Sequence, residues 1–111
     1  MTRIPLNTTL RNRLPNRRRA ETLTIEGNGL AHTATYGFFS DGKVGEVFLQ
    51  NHKPGSQADS NARDSAVAAS LALQYGCPLE VLRRALLRDA NGRPSTPLGA
   101  ALDAITQGSS S

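Results

Sequence analysis

At 111 residues the chain is long enough for one domain with a modest core, and its single cysteine, Cys77, excludes an internal disulfide. No secretory or membrane-spanning apolar segment occurs, so a cytoplasmic, non-membrane protein is expected. Of 13 basic side chains, six (Arg3, Arg11, Arg13, Arg17, Arg18 and Arg19) lie in the first 19 residues without any acid, so that arm carries +6 of the net +4 and the remainder −2.

Residues 1–19 hold two prolines, three asparagines and scattered aliphatics without helical or strand period, which predicts a basic flexible arm with Leu14-Pro15 as a docking point. From Glu21 the period becomes two: Leu23 and Ile25 share one face, and Thr22, Thr24 and Glu26 the other, as in a half-buried strand. Gly27-Asn28-Gly29 is a turn. A second strand follows from Ala31 to Phe39, with His32, Ala34, Tyr36 and Phe38 on one side. Ser40-Asp41-Gly42-Lys43 is a hairpin signal, because Asp-Gly accepts the positive φ that tight turns need. A third strand, Val44 to Gln50, returns antiparallel with Val47 and Leu49 inward.

The stretch from Gly55 to Gly76 reads as the central helix. Ser56 with Asp59 three residues on is a near-match to a capping box, and Gly76 followed by Pro78 is a stop. Between them, AVAASLAL (66–73) has almost no polar face, which predicts a helix gripped on more than one side, with Val67, Leu71 and Leu73 supplying bulk. A second helix is expected from Pro78 to Arg88, burying Leu79, Val81, Leu82, Ala85 and Leu86 while Arg83, Arg84 and Arg88 point out. After a turn-rich loop, Asp89 to Thr96, a third runs from Pro97 to about Thr106, and 107–111 form a disordered tail. The fold class is α+β: a three-stranded antiparallel meander, a buried helix and two further helices, in a single domain over 20–106.

Few residues offer chemistry. His32, His52 and Cys77 lack the paired spacing of a zinc site, so no metal and no cofactor is expected. Cys77 suits a small buried hydrophobe better than a reactive thiol. The serines fall at caps, turns and the tail with no base in a recognisable pattern, so no catalytic residue is expected. Lys53, Gly55 and Ser56 precede a helix and could hold a phosphate or nucleotide, with plain capping as the alternative. Arg11, Arg13, Arg17, Arg18 and Arg19 could neutralise nucleic-acid phosphates, although no aromatic residues interleave them to stack bases.

Four blocks taken together, LPNRRRAETLTI (14–25), DGKVGEVFL (41–49), KPGS (53–56) and SLALQYGCPLEVL (70–82), resemble a small domain near the C-terminus of adenosylcobalamin-dependent (class II) ribonucleotide reductases, the TSCPD domain. The reductase's radical chemistry belongs to a large barrel that 111 residues cannot encode, and its redox cysteine pair has no counterpart beside Cys77. The resemblance therefore implies a non-catalytic interaction or regulatory module, not an enzyme, that acts through a protein partner or by forming a homo-oligomer. Nucleic-acid binding by the arm, and nucleotide binding near Lys53–Ser56, are the alternative readings.

Overall fold

A computed structural model describes residues 10–27 and 30–109, and it has the expected class. Strands β1 (Ala20–Gly27), β2 (Leu30–Phe38) and β3 (Val44–Asn51) form an antiparallel sheet in the order β1-β2-β3. Helices α1 (Gln57–Gln74), α2 (Leu79–Ala85) and α3 (Pro97–Ser109) follow. The expected turn residues Asn28 and Gly29 lie outside the described residues. Within those described, no helix is long and apolar enough to cross a membrane.

The register follows from the period-two pattern. Ile25 faces His32, Leu23 faces Ala34, and across the other pair Ala34 faces Leu49 and Tyr36 faces Val47, so one surface of the sheet collects the apolar side chains. Against that surface pack Ala62, Ala66 and Ala69 of α1 and Leu98, Ala101, Leu102 and Ile105 of α3. Tyr36 is fully buried, and its hydroxyl donates to the Ala101 carbonyl at 2.6 Å, tying the middle strand to α3. Burial pushes that hydroxyl up to a pKa of about 12, with the Glu21 charge adding to the effect.

The Asp41-Gly42 hairpin uses a three-residue loop. Phe39 N–H donates to the Lys43 carbonyl, Gly42 N–H donates to the Phe39 carbonyl, and Gly42 sits at φ 91°. The ladder then slips between Gly37 and Phe38, leaving Gly45 as an extra residue whose missing Cβ makes room for the Phe39 ring, 2.6 Å from where that atom would sit.

Helix α1 starts and stops as its sequence predicts. The Ser56 hydroxyl accepts the Asp59 N–H, while Gly76, at φ 101°, lets Cys77 N–H reach the Ala72 carbonyl and Gly76 N–H the Leu73 carbonyl. Its packing differs from expectation. The buried stripe is Asp59, Ala62, Ala66, Ala69, Leu73 and Gln74, whereas Val67 is 59% and Leu71 40% exposed. The reason lies at the edge of β3. Ser70 Oγ accepts the Val47 N–H at 2.8 Å and donates to the Val47 carbonyl at 3.0 Å; Gln74 Nε2 donates to the Gly45 carbonyl; and Asp59 Oδ1 accepts the Asn51 N–H. Only alanines on that face let the helix come close enough for a serine to span the gap, so the bulkier residues turn outward.

A buried polar group closes the start of this seam. Asp59 also accepts the Gly55 N–H and pairs with Arg63, and its carboxyl is held below the usual range by the Asn51 and Gly55 amides, with Arg63 adding to them. Beside it, Asn51 Nδ2 lies 3.1 Å from His32 Nε2. His32 is 2% exposed, and burial, aided by the neighbouring His52, lowers its pKa against the opposing pull of Asp59.

Three further corrections concern the C-terminal helices. Helix α2 ends at Ala85, Val81 is exposed, and only Leu79 and Leu82 pack from within it, because a helix of two turns presents a single narrow stripe. Arg83 and Arg88 do not point into solvent: both bind Asp103 of α3, Arg88 through two nitrogens at 2.7 and 2.9 Å. These bonds hold the Asp103 carboxyl below the usual range, Arg88 having the larger effect and Arg83 the smaller. Helix α3 continues to Ser109, past the expected stop near Thr106.

Two outcomes follow. Ser70→Ala leaves both polar groups of Val47 without their partner and is expected to cost about 2 kcal/mol in urea denaturation, far more than Ser60→Ala on the exposed side. His32 has a folded pKa below its unfolded value of 6.5, so stability is full above that value and falls as the pH drops toward the folded pKa. Denaturation midpoints measured between pH 8 and pH 5 are expected to decline below about 6.5, and His32→Gln is expected to flatten that decline.

Candidate functional site

An open cleft of 1270 Å³ forms where three separated parts of the chain meet: the segment before β1, the β2–β3 hairpin and the α1–α2 junction. Its floor is apolar, formed by Phe38, Val44, Leu73, Leu79 and Ile105. Its rim carries Arg13, Arg19, Glu21, Asp41 and Lys43, with Gly76-Cys77-Pro78 at the far side. Three of the four blocks read in the sequence, 14–25, 41–49 and 70–82, contribute to this one surface, while the fourth, 53–56, does not line it.

Residues 10–19 lie along the domain and decide which arginines reach the cleft. Asn12 N–H donates to the Gln74 carbonyl and Arg11 Nε to the Gln74 side chain at 2.5 Å. Arg18 Nε binds Glu46 at 2.6 Å while its Nη1 donates to the Pro15 carbonyl. That ion pair lies over Gly37, where a Cβ would overlap the Glu46 carboxylate. The Phe38 N–H then donates to the Arg19 carbonyl, continuing the ladder into β1. The Arg19 guanidinium lies 4.0 Å from the centre of the Phe38 ring, a cation–π stack, with Glu21 3.8 Å away. Of the five expected nucleic-acid contacts, Arg11 and Arg18 are thus spent on the fold, Arg19 is stacked, and Arg13 and Arg17 have no partner among the described residues. Arg3 lies outside those residues.

The loop before α1 is already supplied with an anion. Asp59 takes the Gly55 and Asn51 amides, Asn51 Oδ1 takes the Lys53 amide, and Ser56 Oγ donates to the Lys53 carbonyl. Of Lys53, Gly55 and Ser56, only the Lys53 ammonium is left to meet an external phosphate. The other chemical candidates stand apart. Cys77 makes a weak contact with the Pro78 carbonyl at 3.6 Å, and His52 Nε2 lies 3.0 Å from the Thr33 hydroxyl. No group of three or more His, Cys, Asp or Glu side chains among the described residues could hold a metal ion.

Sequence reading did not single out Lys43 or the Arg19–Phe38 stack. The signal was present in the order of the blocks: a hairpin and a helix stop with matched spacing are close in space only once the sheet is folded.

This chain has relatives among known proteins. It is similar to the vitamin B12-dependent ribonucleotide reductase of Agrobacterium fabrum, 41% identical over 70 residues, which are 63% of this chain and 6% of that protein. The reductase of the same name from Bradyrhizobium diazoefficiens is 37% identical over 70 residues, again 63% of this chain and 6% of the relative. That of Rhodopirellula baltica is 36% identical over 72 residues, 65% of this chain and 7% of the relative. No family model and no solved structure matches. The chain therefore contains a segment related to these reductases, and spans 6 to 7% of the length of the relatives named.

Proposed function

We propose that this chain is a non-catalytic interaction module, akin to the TSCPD domain of class II ribonucleotide reductases, that acts by pairing with a protein strand, whether of a reductase polypeptide or of a second copy. The observation that carries this reading is the open edge of β1. Because Arg19 faces Phe38 in a hydrogen-bonded pair, alternate residues point toward β2, and Ala20, Thr22, Thr24 and Glu26 direct their N–H and C=O groups away from it. None of these groups has a partner among the described residues, whereas the opposite edge, β3, is closed by α1. An eight-residue edge with no proline is a ready template for an added strand.

Similarity to one small part of the reductases supports a role as an accessory unit and not as the reacting centre. Sedimentation of the full chain, alone and mixed with a vitamin B12-dependent ribonucleotide reductase, tests the proposal. A complex of one kind or the other is expected. Thr24→Pro should abolish it while leaving the circular dichroism spectrum unchanged, since the Thr24 N–H lies outside the β1–β2 ladder. A chain that stays monomeric under both conditions, or a Thr24→Pro variant that associates equally well, contradicts the reading.

A further inference from the structure

We infer that the cleft between the arm, the hairpin and the α1–α2 junction binds a nucleoside polyphosphate, with the Arg19–Phe38 stack as the platform for the base and Arg13 and Lys43 as the phosphate contacts. This goes beyond strand pairing and does not rest on it, since β1's open edge and the cleft are formed by different groups.

Three observations combine. The cleft, at 1270 Å³, exceeds the roughly 300–1,000 Å³ of a typical small-molecule pocket, so an extended ligand fits as well as a compact one. Its apolar floor and charged rim suit a molecule with one flat, weakly polar end and one anionic end. The guanidinium of Arg19, fixed over Phe38 at 4.0 Å, has a second planar face, and its side chain is 61% exposed. A nucleobase stacks well on such a plane. Arg13 and Lys43 line the same cleft, and neither side chain has a hydrogen-bond or ion-pair partner among the described residues. Asp41, two residues before Lys43, is turned to its own loop, where Oδ1 accepts the Lys43 amide. Two uncommitted cations beside a stacking plane favour a polyphosphate over a neutral nucleoside.

The Lys53–Ser56 loop lacks this combination, because its amides are already bound to Asp59 and Asn51. The arm as a nucleic-acid tract lacks it too, since Arg11 and Arg18 are held by Gln74 and Glu46.

Calorimetric titration of the full chain with ATP, inorganic tripolyphosphate, adenosine and a short single-stranded oligonucleotide tests the inference. Saturable one-to-one binding of ATP is expected, about tenfold tighter than tripolyphosphate, with adenosine weaker still. Arg13→Glu combined with Lys43→Glu is expected to weaken ATP at least about tenfold, and Arg19→Ala to remove the advantage of ATP over tripolyphosphate. Arg93→Glu, on an exposed loop away from the cleft, should leave affinity unchanged. Absence of saturable ATP binding overturns the inference. So does equal affinity for tripolyphosphate, tighter binding of the oligonucleotide than of ATP, or indifference to the double reversal in a variant whose thermal midpoint is unchanged.

Discussion

The hydrogen bonds from α1 to the edge of β3 are the constraint on which the remaining structure depends. A three-stranded sheet has two edges and one face to cover, and this chain uses a single helix to cover part of the face and to bond one edge at Gly45, Val47 and Asn51. Ser70 does what a fourth strand would do at Val47, accepting its N–H and donating to its carbonyl. Gln74 adds one bond to the Gly45 carbonyl, and Asp59 accepts the Asn51 N–H. Each of these contacts requires the helix to approach within side-chain reach of a backbone, which explains the alanines at 62, 66 and 69 more fully than a general demand for burial does.

That placement has consequences at both ends of α1. At its start Asp59 is drawn inward to the loop amides, so the loop supplies its own anion and has little left to offer a ligand. At its end the glycine stop brings Gly76-Cys77-Pro78 to face the hairpin, and Gln74 anchors the arm through Arg11 and Asn12. One helix thus separates a closed edge from an open one and forms one wall of the cleft. Helix α3 holds the other half of the core, pinned to the sheet by Tyr36 and to α2 through Asp103.

Much of this was legible in the residues. The strands followed from alternation at 21–26 and 44–50, the hairpin from Asp41-Gly42, and the limits of α1 from Ser56, Asp59 and Gly76. The orientation of α1 was not, because residues 66–73 are apolar all round and hydropathy ranks Val67 and Leu71 above the alanines that are actually buried. Side chains that serve a distant backbone give no local sign either: Ser70 and Gln74 look like ordinary helix residues until the edge of β3 lies beside them. The same holds for Arg83 and Arg88, which read as solvated charges and are bound to an aspartate on the next helix. For the cleft, the sequence carried the blocks but not their convergence.

Amide hydrogen exchange, measured by nuclear magnetic resonance on dilute protein, tests the central claim most directly. If α1 closes one edge and leaves the other open, the Val47 and Asn51 amides exchange slowly while those of Thr22, Thr24 and Glu26 exchange fast. Exchange at Val47 as fast as at Thr24 would contradict the account.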